Sequence, residues 1–171
     1  MTGPAERRTV FDGRLFHVEV QRWTDPDRQR EVVRHPGAAA LVAVTEAGEV
    51  VLVRQFREAV GEHLLEIPAG ILDVEGESAE AAATRELHEE TGYRATAVEP
   101  LGSIYTSPGF ADERIELFLG GAEPEGSPEG GVEVVTMSLA DAVARAIDGR
   151  LSDAKTVAGL LLAALRRGGV A

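Results

Sequence analysis

Three glutamates lie within five positions of the segment RELHEETG. On a helix, Glu86, Glu89 and Glu90 fall within an arc of about 100°, so their carboxylates face the same way. Like charges at this spacing repel one another, and the negative end of the helix dipole adds to the cost. Two arrangements relieve the repulsion: a solvated face with Arg85 and His88 nearby, or a divalent cation that takes oxygen ligands.

The residues that flank these glutamates form a longer pattern. Gly70 is followed after six residues by Glu77, and after seven more by the run that ends at Gly92. This pattern resembles the signature of the Nudix hydrolase family, in which a Gly and a Glu precede REUxEExGU and U is aliphatic or aromatic. The usual gap between the first Gly and the Glu is five residues. The six residues here, ILDVEG, predict a longer loop before the helix and leave the glutamates in register.

The resemblance implies a site for Mg²⁺ or Mn²⁺. Glu86 and Glu90 would be the main ligands, Glu89 a direct or water-mediated ligand, and the carbonyl of Ala69 would complete the set. Such oxygen ligands suit Mg²⁺, which also accepts phosphate oxygens. The resemblance further implies that Arg85 pairs with Glu77 and steadies the loop. Structural roles are implied for five residues of the pattern and its downstream segment: Gly70, Glu77, Arg85, Gly92 and Pro108.

Two other segments resemble the ADP-ribose pyrophosphatase subfamily. SPGFADE places its Pro108 sixteen positions after Gly92, and VRQFR carries Arg57 on a predicted strand. The resemblance implies Mg²⁺-dependent hydrolysis of ADP-ribose to AMP and ribose 5-phosphate. It assigns substrate contacts to five residues: Arg57, Glu113, Arg14, Leu15 and Glu31. Simpler interpretations are a solvated Arg57 and a loop charge at Glu113 or Asp112. Arg14, Leu15 and Glu31 could simply belong to an ordinary β-hairpin.

A general base is expected on the loop EPEGSPEGG. Glu129 is nearest to the family position, which makes the expected catalytic residues Glu86, Glu90 and Glu129. Glu125 is the alternative base, and both could equally be solubilising charges. Four aromatic residues are candidates to stack on adenine: Phe16, Trp23, Tyr105 and Phe110.

The same residues are compatible with other functions. The same chemistry could act on GDP-mannose, UDP-glucose, NADH or FAD, or on oxidised nucleoside triphosphates. A non-catalytic sensor of ADP-ribose is a further alternative. The three retained glutamates favour an enzyme over a sensor.

Composition excludes several classes of protein. The 171 residues carry a net charge of -12, which disfavours nucleic acid and anionic membranes as partners. The absence of cysteine excludes disulfides and thiolate chemistry, and the four scattered histidines lack a zinc-binding spacing. No stretch predicts a signal peptide or a membrane span, so a cytoplasmic enzyme is expected.

The elements that position these residues follow from hydrophobic periodicity. A β-hairpin is predicted at 15–23 and 29–35 across the turn TDPD, and a helix at 79–91 between the N-cap Ser78 and Gly92. Further strands are predicted at 38–44, 50–56, 98–105, 115–119 and 132–138, with helices at 139–148 and 152–167. The segment 120–131, rich in Gly, Pro and Glu, predicts a mobile loop.

The expected fold is α+β: a Nudix fold, an α/β/α sandwich around a mixed sheet, with an N-terminal β-hairpin. We expect one domain over residues 1–171, with a hairpin extension at 1–36 and the core at 37–171. The subfamily resemblance implies a homodimer in which the hairpin is exchanged.

Overall fold

The N-terminal segment forms its own antiparallel sheet in the computed structural model, which describes residues 3–25, 27–129 and 131–168. The sheet has the order β1 (Glu6–Asp12), β2 (His17–Arg22) and β3 (Gln29–Arg34). The predicted hairpin is the β2–β3 pair, in register from His17 opposite Arg34 to Arg22 opposite Gln29. Pro26, in the predicted turn, lies outside the described residues. The additional strand β1 was not predicted because all of its residues are exposed, so no apolar alternation marks it.

The core of the chain is a seven-stranded mixed sheet. Its strands are β4 (Ala38–Thr45), β5 (Glu49–Arg57), β6 (Glu62–Glu66), β7 (Ala69–Ile71), β8 (Tyr93–Tyr105), β9 (Arg114–Pro124) and β10 (Glu133–Ser138). The main path runs β10-β5-β4-β9-β8, while β6 pairs with β5 and β7 pairs with β4. The β4–β9 pair is parallel and the others are antiparallel. The predicted mixed sheet is therefore confirmed.

The central strand β4 has buried residues on both faces. Ala40 and Val42 belong to one apolar cluster, and Ala39, Leu41 and Ala43 belong to another on the opposite face. Because side chains alternate across a strand, a near-continuous apolar run predicts helices on both sides of the sheet. The helices α2 (Leu139–Ile147) and α3 (Ala154–Arg166) pack on the first face, and α1 (Ala79–Thr91) packs on the second. This arrangement is the predicted α/β/α sandwich.

Helix α1 begins and ends where its sequence predicts. The Ser78 side chain accepts a hydrogen bond from the Ala81 amide at 3.2 Å, and Gly92 ends the helix in the left-handed conformation. Ala83 and Leu87 are buried against the sheet. On a helical wheel, Glu90 lies about 20° from Ala83 and about 60° from Leu87, so its side chain is drawn toward the core.

The segment 120–131 differs from its prediction. Residues 120–124 continue β9, which pairs with β8 on one side and with β4 on the other. Glycines allow this close pairing, since a Cβ at Gly121 would lie 2.2 Å from the Thr96 hydroxyl. From composition alone, Gly120 and Gly121 favoured a loop. In the structure they lie in β9, where the close approach of β8 leaves no room for a side chain. Gly130, in the same segment, lies outside the described residues.

The strands β6 and β7 were also not predicted, because their segment is short and interrupted by Pro68. Strand β7 lies next to the end of α1 that carries the glutamates. In the described part of the chain, none of the helices is long and apolar enough to cross a membrane.

Candidate active site

Glu86 lies directly against the backbone of Gly70. A Cβ built on Gly70 would lie 2.0 Å from Cδ of Glu86 and 2.1 Å from its Oε1. Any residue larger than glycine would therefore occupy the position of the carboxylate. The Gly of the sequence pattern leaves the space that the Glu86 carboxylate occupies.

Glu90 is half-buried one turn further along α1. One of its oxygens accepts a hydrogen bond from the Ala69 amide at 3.2 Å. The pKa of Glu90 is raised to about 7, mainly by burial and also by the negative charge of Glu86, while the Ala69 hydrogen bond opposes the increase. Glu86 and Glu90 thus form a pair of carboxylates, beside residues 69 and 70, whose repulsion is not fully compensated.

Arg85 connects the loop before α1 to this acidic cluster. Its Nε and Nη2 each donate to the Glu77 carboxylate at 3.0 Å, while Nη1 donates to Glu86 at 2.7 Å and to Glu89 at 3.1 Å. The hydrogen bonds to Glu77 are the largest cause of the raised pKa of Arg85. The longer loop contains a turn in which the Glu77 amide donates to the Val74 carbonyl at 3.2 Å. The glutamates of α1 consequently stay in register.

The donor set suits a hard divalent cation. Carboxylate and carbonyl oxygens are the ligands that Mg²⁺ prefers, and a cation between Glu86 and Glu90 would remove the repulsion that raises the Glu90 pKa. Among the described residues, no three acidic or histidine side chains converge on one point. The reason is visible in the contacts: Glu86 and Glu89 hydrogen-bond Arg85, and Glu90 hydrogen-bonds the Ala69 amide. Binding of one cation by all of these glutamates would require their side chains to turn.

Arg57 is held by a buried carboxylate that sequence inspection did not single out. Its Nε and Nη2 each donate to Glu66 at 2.7 Å, although Glu66 itself is only 1% exposed. Lys155, in the first turn of α3, also contacts Glu66. Burial raises the pKa of Glu66, but the hydrogen bonds from Arg57 and the charge of Lys155 outweigh it and keep the pKa below its ordinary value. The simple interpretation of Arg57 as a solvated charge does not describe this geometry, and its contact with substrate stays a prediction.

The charges of this group extend to the acidic pair. The positive charges of Arg57 and Lys155 both act to lower the pKa of Glu90, against the effect of burial. Arg57 therefore lies within electrostatic reach of the carboxylates of α1. One signal in the sequence could have drawn attention to Lys155: it is the single lysine of the chain.

The loop that follows β9 is fastened to the end of α1. The amides of Glu125 and Gly126 each donate to the Gly92 carbonyl at 2.9 Å, and the Glu129 amide donates to the Glu89 carbonyl at 2.6 Å. The Glu125 carboxylate lies 3.4 Å from Nε2 of His88 and 3.3 Å from Nε of Arg94. These contacts form a cleft of about 370 Å³ that Glu89, Glu125 and Glu129 share.

A second cleft of about 370 Å³ lies at the turn between β1 and β2. Arg14, Leu15 and Phe16 line it together with Arg34 and His35. Glu31 is exposed on β3 and is not among the residues that line this cleft in the described part of the chain. The structure thus brings together two of the three N-terminal residues that the sequence grouped.

The segment SPGFADE attaches the N-terminal sheet to the core. Asp112 accepts hydrogen bonds from Nη1 of Arg34 at 2.7 Å and from the His35 amide at 2.9 Å. Glu113 accepts from the Thr106 hydroxyl at 2.7 Å. Pro108 lies in a turn closed by a hydrogen bond from the Phe110 amide to the Ser107 carbonyl at 3.1 Å.

The aromatic candidates are separated by the fold. Phe16 lines the N-terminal cleft, whereas Trp23 lies under the Arg28 guanidinium at 4.4 Å. Tyr105 and Phe110 are exposed on either side of the turn at Pro108.

The fold and the site define the chain's class. It belongs to the Nudix family: the family model described as NUDIX domain matches residues 33–160. The family predicted from the signature is therefore confirmed, and with it the hydrolase class.

Three similar proteins refine the comparison. The chain is 38% identical over 159 residues to the ADP-ribose pyrophosphatase of Bacillus subtilis (strain 168), which covers 88% of this chain and 85% of that protein. It is 38% identical over 161 residues to the GDP-mannose pyrophosphatase of Cronobacter sakazakii (strain ATCC BAA-894), with 82% of each chain covered. The solved structure of an ADP compounds hydrolase superposes with a TM-score of 0.79 at 25% identity and covers 99% of this chain and 98% of that one. The expected fold is thereby confirmed.

Proposed function

We propose that this protein hydrolyses the diphosphate of ADP-ribose to give AMP and ribose 5-phosphate, with Mg²⁺ or Mn²⁺ as cofactor. The carrying observation is the pair Glu86 and Glu90, half-buried against Gly70 and Ala69, with the pKa of Glu90 raised to about 7. The names of the similar ADP-ribose pyrophosphatase and ADP compounds hydrolase support the choice of substrate.

Four residues would hold the cation: Glu86, Glu89, Glu90 and Ala69 through its carbonyl. When bound, the cation neutralises diphosphate charge and lowers the pKa of the attacking water. Arg57 is oriented by Glu66 through Nε and Nη2, which leaves its Nη1 without a hydrogen-bond partner among the residues that the structure describes. This nitrogen is suited to a phosphate oxygen near the carboxylates of α1.

The general base is Glu129 in this proposal. Its amide donates a hydrogen bond to the Glu89 carbonyl, and Glu129 and Glu89 line the same cleft. The Glu125 carboxylate is instead occupied by contacts with His88 and Arg94. The water oxygen attacks one phosphorus, its proton passes to Glu129, and the bond from phosphorus to the bridging oxygen breaks, releasing the two monophosphates.

The adenosine side of the substrate is assigned to Arg14 and Leu15 in the N-terminal cleft, with Glu113 as a ribose contact. Glu31 lies outside that cleft in its own chain, so its contribution requires the hairpin of a second copy. We accordingly propose a homodimer formed through the N-terminal extension, residues 1–36, of a single domain spanning 1–171.

A substrate panel tests the proposal. ADP-ribose, GDP-mannose, UDP-glucose, NADH and FAD are compared by kcat/KM with saturating Mg²⁺, and ADP-ribose is expected to rank first. GDP-mannose is the specific rival, because a GDP-mannose pyrophosphatase is also 38% identical, over 82% of this chain. A preference for GDP-mannose would overturn the substrate and retain the chemistry. An absence of any diphosphate cleavage would support the ADP-ribose sensor.

A further inference from the structure

Glu66 orients Arg57 from beneath. The two hydrogen bonds of 2.7 Å run in parallel from Nε and Nη2 to the two carboxylate oxygens, which fixes the plane of the guanidinium. Glu66 is 1% exposed while the Arg57 side chain is 40% exposed. The buried partner therefore acts as the support, and the exposed partner faces the solvent side of the site.

Lys155 contacts the same Glu66 carboxylate oxygen as Nη2 of Arg57. Its side chain is 8% exposed, its Nζ contacts the Glu66 carboxylate, and the same Nζ lies 3.0 Å from Asp153. Asp153 caps α3 by accepting from the Thr156 amide at 3.0 Å and from the Thr156 hydroxyl at 2.6 Å. The Thr156 hydroxyl in turn accepts from the Ile67 amide at 2.9 Å. The first turn of α3 is thus bonded to the backbone that follows Glu66 as well as to its side chain.

Lys155 is also chemically exceptional in this chain. It is the single lysine among 17 basic residues, and the others are arginines. An ammonium is a compact charge with three donors, whereas a guanidinium presents a larger planar fork. A compact donor suits the enclosed position between Glu66 and Asp153.

We propose that Lys155 is a positioning residue for the phosphate-binding Arg57 and acts through Glu66. The inference rests on the proposed function, because it takes Arg57 as a ligand of the diphosphate. With Lys155 in place, the Glu66 carboxylate is fixed before substrate arrives, and the flexible Arg57 side chain is already oriented. Preorganisation of this kind increases affinity by reducing the ordering that binding requires.

A double-mutant cycle tests the inference on the full chain. The variants are Lys155→Met, which retains the apolar stem, Arg57→Ala, and the two combined. Arg150→Met is the matched control, since it removes a cation that pairs with Asp148 outside this network. Three quantities are measured: kcat/KM for ADP-ribose at saturating Mg²⁺, the Kd of a methylene-bridged ADP-ribose analogue by calorimetry without metal, and the melting temperature.

The expected result is non-additivity. Lys155→Met should lower kcat/KM about tenfold, equivalent to about 1.4 kcal/mol, mainly through KM, and should weaken analogue binding by a similar factor. In the Arg57→Ala background the same change should alter either quantity less than about twofold, because residues that act through one another do not add. Arg150→Met should match the wild type.

The contrary outcomes separate the two proposals. A similar tenfold loss in both backgrounds would mean that Lys155 supports only the fold, which overturns the inference and leaves the proposed function intact. No effect of Arg57→Ala on turnover or binding would overturn the role of Arg57 and the inference with it. If turnover of ADP-ribose is absent, the calorimetric cycle alone decides. If Lys155→Met does not fold, Glu66→Gln replaces it, with the same non-additivity with Arg57→Ala expected.

Discussion

Gly70 and Glu86 are in such close contact that a Cβ on the glycine would lie 2.0 Å from Cδ of the glutamate. The φ angle of Gly70 is not one that requires glycine. The glycine of the signature is therefore explained by the space that the Glu86 carboxylate needs.

Gly70→Ala should displace the Glu86 carboxylate. We expect kcat/KM to fall about 100-fold, since small misplacements at a reacting centre cost this much. Stability should change little, because a Cβ at Gly70 meets only the outer atoms of the flexible Glu86 side chain, which can move aside. Kinetics and chemical denaturation measure the two effects. Gly3→Ala, where a Cβ meets nothing within 4 Å, is the control. Wild-type turnover in Gly70→Ala would show that the Glu86 position is unimportant.

Glu90→Gln should abolish turnover and preserve the fold. The folded-state pKa of about 7 lies above the ordinary value of 4.5, so without metal the folded protein binds an extra proton between these values. Stability in the presence of a chelator should therefore fall as pH rises through this window, by at most about 3 kcal/mol. In the presence of the chelator and above pH 7, the Glu90→Gln variant should therefore melt at a higher temperature than the wild type.

The metal response supplies the second half of this test. Mg²⁺ at pH 8 should raise the melting temperature of the wild type, because it binds the folded state alone, and should raise that of Glu90→Gln much less. Equal responses of the two proteins would remove Glu90 from the ligand set.

Glu129→Gln and Glu125→Gln should differ in turnover. Loss of a general base costs about 100-fold or more in kcat, and this loss is expected for Glu129. For Glu125, whose carboxylate lies between His88 and Arg94, we expect a change below about threefold. Steady-state kinetics of both variants under identical conditions decide the assignment, and the reverse order would exchange the two roles.

Asp112→Ala should loosen the N-terminal sheet. Burial raises the pKa of Asp112, but the hydrogen bond from Arg34 outweighs this effect and keeps the pKa below its ordinary value. The pair therefore stabilises the fold above pH of about 4, and the contribution is lost as pH falls through the lowered pKa. We expect a loss of about 1 kcal/mol at pH 7, since Asp112 is partly exposed.

Limited proteolysis measures the local effect of Asp112→Ala. Cleavage between β3 and β4 should accelerate relative to the wild type. Asp148→Ala, which removes a carboxylate from an exposed pair with Arg150, should leave the cleavage rate unchanged. Equal rates in all three proteins would contradict an anchoring role for Asp112.

Val10→Glu with Phe11→Glu should dissociate the proposed homodimer. Both side chains are about half exposed on β1, at the edge of the N-terminal sheet. Burial of such residues against a second copy would supply association energy that two carboxylates remove. Light scattering should give about twice 18.2 kDa for the wild type and a single chain mass for the variant. A wild-type monomer would contradict the dimer.

Local sequence determined much of this protein. The capping residues and apolar spacing of α1 predicted its bounds, and the signature predicted the family and the surroundings of Glu86 and Glu90. Alternation of apolar and polar residues predicted the hairpin β2–β3, and the continuous apolar run at 38–44 predicted that β4 is buried on both faces. These features depend on residues within one or two turns or strands of each other, so their pattern is visible along the chain.

Only the tertiary structure decided the partner of Arg57. Glu66 and Lys155 are separated by 89 positions, and they meet because α3 packs beside the end of β6. The contact between Gly70 and Glu86, and the docking of the Glu129 loop on α1, likewise join distant segments. These groups are brought together by packing between segments that are far apart in the chain. The sequence pattern of one segment therefore does not specify which carboxylate an arginine or lysine side chain will contact.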